Sequence, residues 1–289
     1  GQPVTLLEAG PELGGLASAW QLGEVTWDRH YHVTLLSDLR LRDLLAELGL
    51  AEDMRWVETK TGFYTEGTLH SMSNSWEFLR FPPLSLLQKV RLALTILRAS
   101  KIRDGRPLEK QLVADWLKKW SGTATFNKIW LPLLQAKLGD TYQRVSAAFI
   151  WATIARMYQA RHSGLKKEMF GYVPGGHARI LKVFAAHLRE LGVEIKTSYP
   201  VSKVSLEATG LITVESERHD PQQFDRVVMT VPSPIVARLC PQLTDDEKAA
   251  HGNVEYLGIL CASVLLKRNL AKYYVTNITD TWFPFTAVI

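Results

Sequence analysis

The chain has 289 residues, 46% hydrophobic and 22% charged, with a formal net charge of +5. That length and composition can bury a sizeable core in one large domain or two ordinary ones, which excludes wholesale disorder. The two cysteines, Cys240 and Cys261, are too few and too scattered for a disulfide framework or a cysteine zinc site, and they suit a reducing, cytoplasmic compartment.

Residues 4–9, VTLLEA, read as a short apolar strand closing on Glu8. Residues 10–17, GPELGGLA, then lead through Gly14 and Gly15 into a helix or tight turn. Dinucleotide-binding folds use an acid at a strand end to accept bonds from ribose hydroxyls, and side-chain-free positions to bring backbone N–H groups close to pyrophosphate. A solvated turn acid and a simple turn are the plainer alternatives. In such folds a strand–GxGxxG–helix unit lies about 20 residues before the acid, so this chain is expected to be the interior of a longer enzyme.

Residues 35–48 carry leucines at helical spacing and stop at Gly49. Residues 61–65 and 68–71, joined through Glu66 and Gly67, spell a hairpin, and antiparallel strands here predict entry into a second domain. Residues 84–102, 108–120, 125–138 and 147–161 predict successive helices, with Trp116, Trp120, Trp130 and Trp151 serving packing. Such helices would cap a substrate cavity. Within them, Lys89, Arg91, Arg98, Lys101, Arg103, Arg106 and Lys110 stand among leucines and isoleucines. That segment is either a helix with a solvated basic face or a basic amphipathic helix that touches a membrane surface. No run reaches the roughly 18 uncharged apolar residues that span a bilayer.

The α/β pattern then returns. A loop over residues 170–176 precedes a helix over 178–191 that stops at Gly192. Strands are predicted over 193–196, 200–206, 211–215 and 224–231, the last buried and ending at Pro232. Thr244 before three acids starts a short helix, and residues 256–267 and 282–289 are strand-like. His30 and His32 carry imidazoles that titrate near neutrality and suit proton handling. Their i, i+2 spacing also suggests metal, but no Cys, Asp or Glu set joins them, so no metal site is expected.

In this order, VTLLEAGPELGGLASA (4–19), WDRHYHVTLLSDLRLRDLLAELGL (27–50), the hairpin through Gly67, WLPLLQAKLGDTY (130–142), GYVPGGHARILKVFAAHLRELGVEI (171–195) and FDRVVMTVPSP (224–234) resemble the flavin-containing amine oxidase superfamily. That group includes protoporphyrinogen oxidases, phytoene-type desaturases and amine oxidases, and the resemblance covers nearly the whole chain. It implies an α/β fold with α+β elements: a Rossmann-like FAD-binding domain with an inserted, largely helical substrate domain that carries a β-hairpin. The implied domains are residues 1–54 and 166–238 for the cofactor and 55–165 and 239–289 for the substrate.

The implied cofactor is FAD. Glu8 would hold its adenosine ribose, and Gly14, Gly15, Leu16 and Ala17 would line the pyrophosphate and the approach to the flavin. The family often has Arg where this chain has Leu16. Val204 would pair its backbone with the adenine edge, Thr230 and Pro232 would sit where the last strand reaches the dinucleotide, and His32 would pass the flavin ring. The implied activity is oxidation or desaturation of a hydrophobic small molecule by hydride transfer to flavin, a chemistry that asks side chains mainly to orient substrate and exclude water. No residue is assigned a catalytic role. Two readings stand beside it. One is a flavin-dependent sugar-nucleotide mutase, which needs arginines such as Arg144, Arg156, Arg161 and Arg179 to converge on a diphosphate. The other is a non-enzymatic membrane- or lipid-binding module built on residues 84–110. Nucleic acid is not an expected partner, because the basic residues share no stripe with exposed aromatics.

Overall fold

A computed structural model describes residues 1–162 and 169–289. The first strand, β1 (Thr5–Leu7), leads to a 3-10 turn at Gly15–Ala17. A hairpin of β2 (Ala19–Leu22) and β3 (Val25–Asp28) follows, its first two residues lying where a helix or turn is expected. Gly23, at φ 62, takes the left-handed conformation that lets those strands reverse.

The leucine-rich segment divides. Its start is β4 (Thr34–Leu35) and only Leu39–Glu47 is helix, α1. The Asp38 carboxylate accepts the Leu35 N–H at 2.8 Å and closes a turn that keeps Leu36 and Ser37 out of the helix. After β5 (Arg55–Glu58), the expected hairpin forms from β6 (Thr61–Thr65) and β7 (Thr68–Ser71), in the register Phe63↔His70 and Thr65↔Thr68. Glu66 and Gly67 both have positive φ, the signature of a tight primed turn. Their N–H groups donate to the two carboxylate oxygens of Asp280, at 2.8 and 2.9 Å.

The helical stretch comprises α2 (Ser75–Arg80), α3 (Leu86–Lys101), α4 (Arg106–Glu109), α5 (Val113–Ser121), α6 (Thr123–Thr125), a π-helical turn at Phe126–Trp130, α7 (Leu131–Leu138) and α8 (Ala147–His162). Ser85 and Gln88 start α3 with a capping box. The helix predicted over 108–120 is broken because Val113 N–H donates to Val145 O and Ala147 N–H to Gln111 O, which draws the backbone into a bridge. The side chain of Arg161 and the domain boundary predicted at 165/166 lie outside the described residues.

Beyond them, β8 (Met169–Tyr172) replaces part of the predicted loop because it pairs with both β4 and β5. Then come α9 (Gly176–Glu190), β9 (Glu194–Lys196), β10 (Val201–Leu206), β11 (Ile212–Ser216), β12 (Gln222–Phe224), α10 (Ser233–Leu239), α11 (Asp245–Gly252), β13 (Val275–Ile278) and β14 (Ala287–Val288). Two predicted strands are corrected. Residues 225–231 continue past β12 without a ladder partner among the described residues, and Val228 is 88% exposed. Residues 256–267 likewise pair with no described strand. A strand-like composition forms no strand without a neighbour to receive its hydrogen bonds.

The contacts group the chain into two units. One holds residues 1–32, 48–50 and 173–262. In it β1 and β9 pair in parallel, Thr5↔Glu194 through Leu7↔Lys196, β10-β11-β12 form a meander, α9 packs on β3 and α10 on β10. The other holds residues 33–47, 51–172 and 263–289, with sheets β4-β8-β5 and β14-β13-β6-β7. Its core gathers Phe81, Leu92, Val113, Trp116, Phe126 and Trp130, and Trp120 and Trp151 pack against it. This grouping differs from the predicted division at 54/55, because β4 and β5 are tied to β8. It also keeps residues 239–262 with the first unit, where α11 packs on α10.

Candidate cofactor site

Glu8, Gly14, Gly15, Leu16, Ala17, His32, Val204, Thr230 and Pro232 all fall in the unit built around β1 and β9. Glu8 extends that parallel pair: its N–H donates to Lys196 O and its carbonyl accepts from Tyr199 N–H, both at 2.9 Å. Its half-buried carboxylate is aimed by one bond, Oε1 accepting the Gly10 N–H at 2.7 Å. Among the described residues nothing donates to Oε2. The fixed backbone and the spare acceptor leave a carboxylate oxygen ready for a hydroxyl.

The glycine pair divides its work. Gly14 has φ 116, a conformation L residues rarely adopt, and a Cβ there would lie 2.4 Å from Leu181 Cδ1 on α9, so a side chain would have to displace that leucine's tip. Gly15, at φ 51, would meet nothing within 4 Å. Ala17 N–H donates to Gly14 O and Ser18 N–H to Gly15 O, while the N–H groups of Gly15 and Leu16 donate to no described residue. Leu16 is 76% exposed. Open backbone donors beside a missing side chain are what a pyrophosphate requires.

The remaining expected residues make no hydrogen bond to this pair among the described residues. Val204 is buried in β10, opposite Val214. Thr230 is exposed on the unpaired segment, and Pro232 caps α10 through the Ile235 N–H at 2.8 Å. No hydrogen bond joins Glu8, Val204 and Thr230 to one another among the described residues. The arginines suggested for a diphosphate do not share a unit: Arg144 and Arg156 belong to the helical one and Arg179 to the other. Arg156 is held by Asp38, with Nε and Nη2 contacts at 3.0 and 2.7 Å.

His32 has neighbours that its sequence position conceals. Asp28, at the end of β3, accepts the backbone N–H of His177 through Oδ1, and its Oδ2 lies 3.1 Å from His177 Nδ1. The rings of His32 and His177 are 4.5 Å apart. Gly176 permits this approach, since a Cβ there would sit 3.0 Å from Asp28 Oδ1. Burial holds the His32 imidazole below its usual range, and the nearby His177 pushes the same way, against a hydrogen bond that the ring donates to the His30 backbone and the attraction of Asp28. The Nδ1 of His30 is buried with no hydrogen-bond partner among the described residues. Only the D-x-x-x-H spacing of residues 28–32 and the His directly after a glycine pair signal this grouping in sequence.

The residues present fit FAD: a carboxylate with a spare oxygen at a strand end, and a glycine loop with unused backbone donors. No curated protein sequence matches the chain. Among solved structures, a protein from Exiguobacterium sp. 255-15 provisionally designated a protoporphyrinogen oxidase shares 23% identity and a TM-score of 0.61, over 85% of this chain and 57% of that one. A fatty acid isomerase from P. acnes that produces CLA shares 13% and 0.64, over 86% and 57%. Putrescine oxidase bound to putrescine shares 16% and 0.62, over 86% and 62%. The chain thus spans about three fifths of the length of these structures, and at such identities the likeness is one of fold. The family model described as flavin containing amine oxidoreductase matches residues 1–281. The chain belongs to the flavin-containing amine oxidoreductases, whose cofactor is FAD.

Proposed function

We propose that the protein oxidises or desaturates a hydrophobic small molecule by hydride transfer to FAD. The observation that carries this reading is the oriented Glu8 carboxylate together with the open backbone donors of Gly15 and Leu16, in a chain of the flavin family. When bound, the flavin accepts the hydride, the part of the chemistry that side chains do not supply. In this reading Glu8 holds the ribose, Gly14, Gly15, Leu16 and Ala17 hold the pyrophosphate, and Val204, Thr230 and Pro232 border the adenosine. His32 lies toward the flavin end. Quenching of flavin fluorescence on titration with FAD tests the cofactor assignment. Saturable binding, however weak, that Glu8→Ala weakens roughly tenfold is the expected result, equal to the loss of one or two hydrogen bonds to an ionised group. Absence of saturable binding, or a Glu8→Ala variant that binds like the parent, overturns it.

A second reading concerns access to that substrate. The outer face of α3 exposes Leu86, Leu87, Val90, Leu94 and Leu97, with Leu86 71% accessible. Its arginines are partly diverted: Arg91 donates to Lys119 O and Trp120 O at the end of α5, and the Arg98 guanidinium stacks 3.7 Å from the Trp120 ring centroid. Lys101 and Arg103 remain exposed beside the leucines. Apolar side chains flanked by cations suit the surface of an anionic bilayer. No helix among the described residues is long and apolar enough to cross a membrane. Co-sedimentation with phosphatidylserine-containing vesicles is expected, with most of it lost in Leu87→Glu/Leu94→Glu. Equal sedimentation of parent and variant removes the membrane contact and leaves the flavin assignment standing.

A further inference from the structure

We propose that Asp28, His32 and His177 form a binding site for a divalent transition-metal ion, with Zn²⁺ as the ion, where β3 meets the start of α9. The three residues each offer one donor atom, and all of these lie within 4.8 Å of one another. Bonds of about 2.1 Å to a tetrahedral ion set donor atoms about 3.4 Å apart. Asp28 Oδ2 and His177 Nδ1, at 3.1 Å, already have nearly that spacing. The third ligand closes by no more than about 1.4 Å to complete it, and His32, whose side chain is exposed, can move that far by rotating its ring.

The donor set is two imidazoles and a carboxylate, a nitrogen and oxygen combination that zinc and its neighbours in the first transition row accept. The carboxylate is also preoriented. Its other oxygen, Oδ1, accepts the His177 backbone N–H at 3.1 Å, the kind of outer hydrogen bond that fixes a ligand's direction. With the ion at Nδ1, His177 carries its proton on Nε2. Three protein ligands leave a position open to water on the exposed side of His32.

A bare hydrogen bond between Asp28 and the first turn of α9 accounts for two of these residues but not for the approach of the His32 ring, tilted by 44°, to 4.5 Å from that of His177. An ion between them accounts for all three. It would also join segments 149 residues apart in sequence, so its binding is expected to raise the unfolding temperature. The site shares His32 with the flavin reading, but its test contains no flavin, so its failure leaves the assignment of Glu8 and the glycine loop standing.

The test is calorimetric titration of Zn²⁺ into the chelator-treated protein, together with the visible absorption of Co²⁺ added in its place. One Zn²⁺ per chain, a raised unfolding temperature and Co²⁺ bands of tetrahedral intensity are expected. His32→Ala and Asp28→Asn should each weaken binding by roughly tenfold or more. His32→Ala alters an exposed side chain, and Asp28→Asn keeps a carbonyl acceptor for the His177 N–H, so both should match the metal-free parent in far-UV circular dichroism. His70→Ala, in the other unit, should bind as the parent does. Failure to bind one Zn²⁺ per chain, or undiminished binding in both His32→Ala and Asp28→Asn, overturns the site.

Discussion

Adjacent glycines with positive φ at residues 14 and 15 are under different constraints. Gly14 combines a backbone conformation that L residues rarely adopt with a contact to Leu181, so Gly14→Ala should destabilise the protein by about 2–4 kcal/mol. At Gly15 the conformation is ordinary left-handed and the space is open, so Gly15→Ala should destabilise by only about 1 kcal/mol. Urea titration of the two variants checks the order, and equal midpoints would contradict it. In the sequence both read as phosphate positions, since the acid–turn–glycine pattern is local. The contact with Leu181 was not legible, because it depends on how a distant helix packs. His177 is hidden in sequence for the same reason: its partner Asp28 is brought to it by the β2–β3 hairpin, for which no element is predicted over residues 21–28.

Elements were legible where their signals were self-contained. The β6–β7 hairpin followed from its turn, and α11 from the Thr244 and Glu247 capping box. Residues 225–231 failed because apolar composition describes a strand's faces and says nothing of its edges. The face of α3 was misread in another way: cations look solvated in sequence, yet Lys89 is buried with its ammonium on Leu79 O at 2.7 Å. The start of α2 offers a pH test. Ser71 Oγ donates to Glu77 Oε2 at 2.6 Å and Ser73 N–H at 2.8 Å, and these bonds outweigh burial and hold the carboxyl below its usual range. A depressed carboxyl contributes stability above its unfolded pKa and loses it as pH falls through the folded value. Glu77→Gln should therefore lower stability by about 0.5–1 kcal/mol at neutral pH, a figure reduced for solvent screening. Its difference from the parent should shrink on acidification below the normal glutamate range. A difference that persists in acid would refute this account.

At the scale of the whole molecule, the ordered stretches from residues 4–19 to 224–234 resemble the flavin family, and the match over residues 1–281 bears that family out. The partition was less legible, because β8 collects β4 and β5 from either side of the predicted boundary. The helical core that the tryptophans foretold makes a direct prediction. Phe126 is 2% exposed, and Phe126→Ala should destabilise by about 3–5 kcal/mol in denaturant titration, whereas Trp76→Ala, at an exposed site, should not. Asp280 clasps the turn of a hairpin 214 residues earlier, and β13 lies alongside β6 in the same sheet. On the ribosome, then, Glu66 and Gly67 emerge long before the side chain that seals them, and the sheet's inner edge stays unsatisfied until β13 has been made. Nascent chains halted short of residue 275 should leave that edge open to proteases and chaperones, and release past residue 280 should close it.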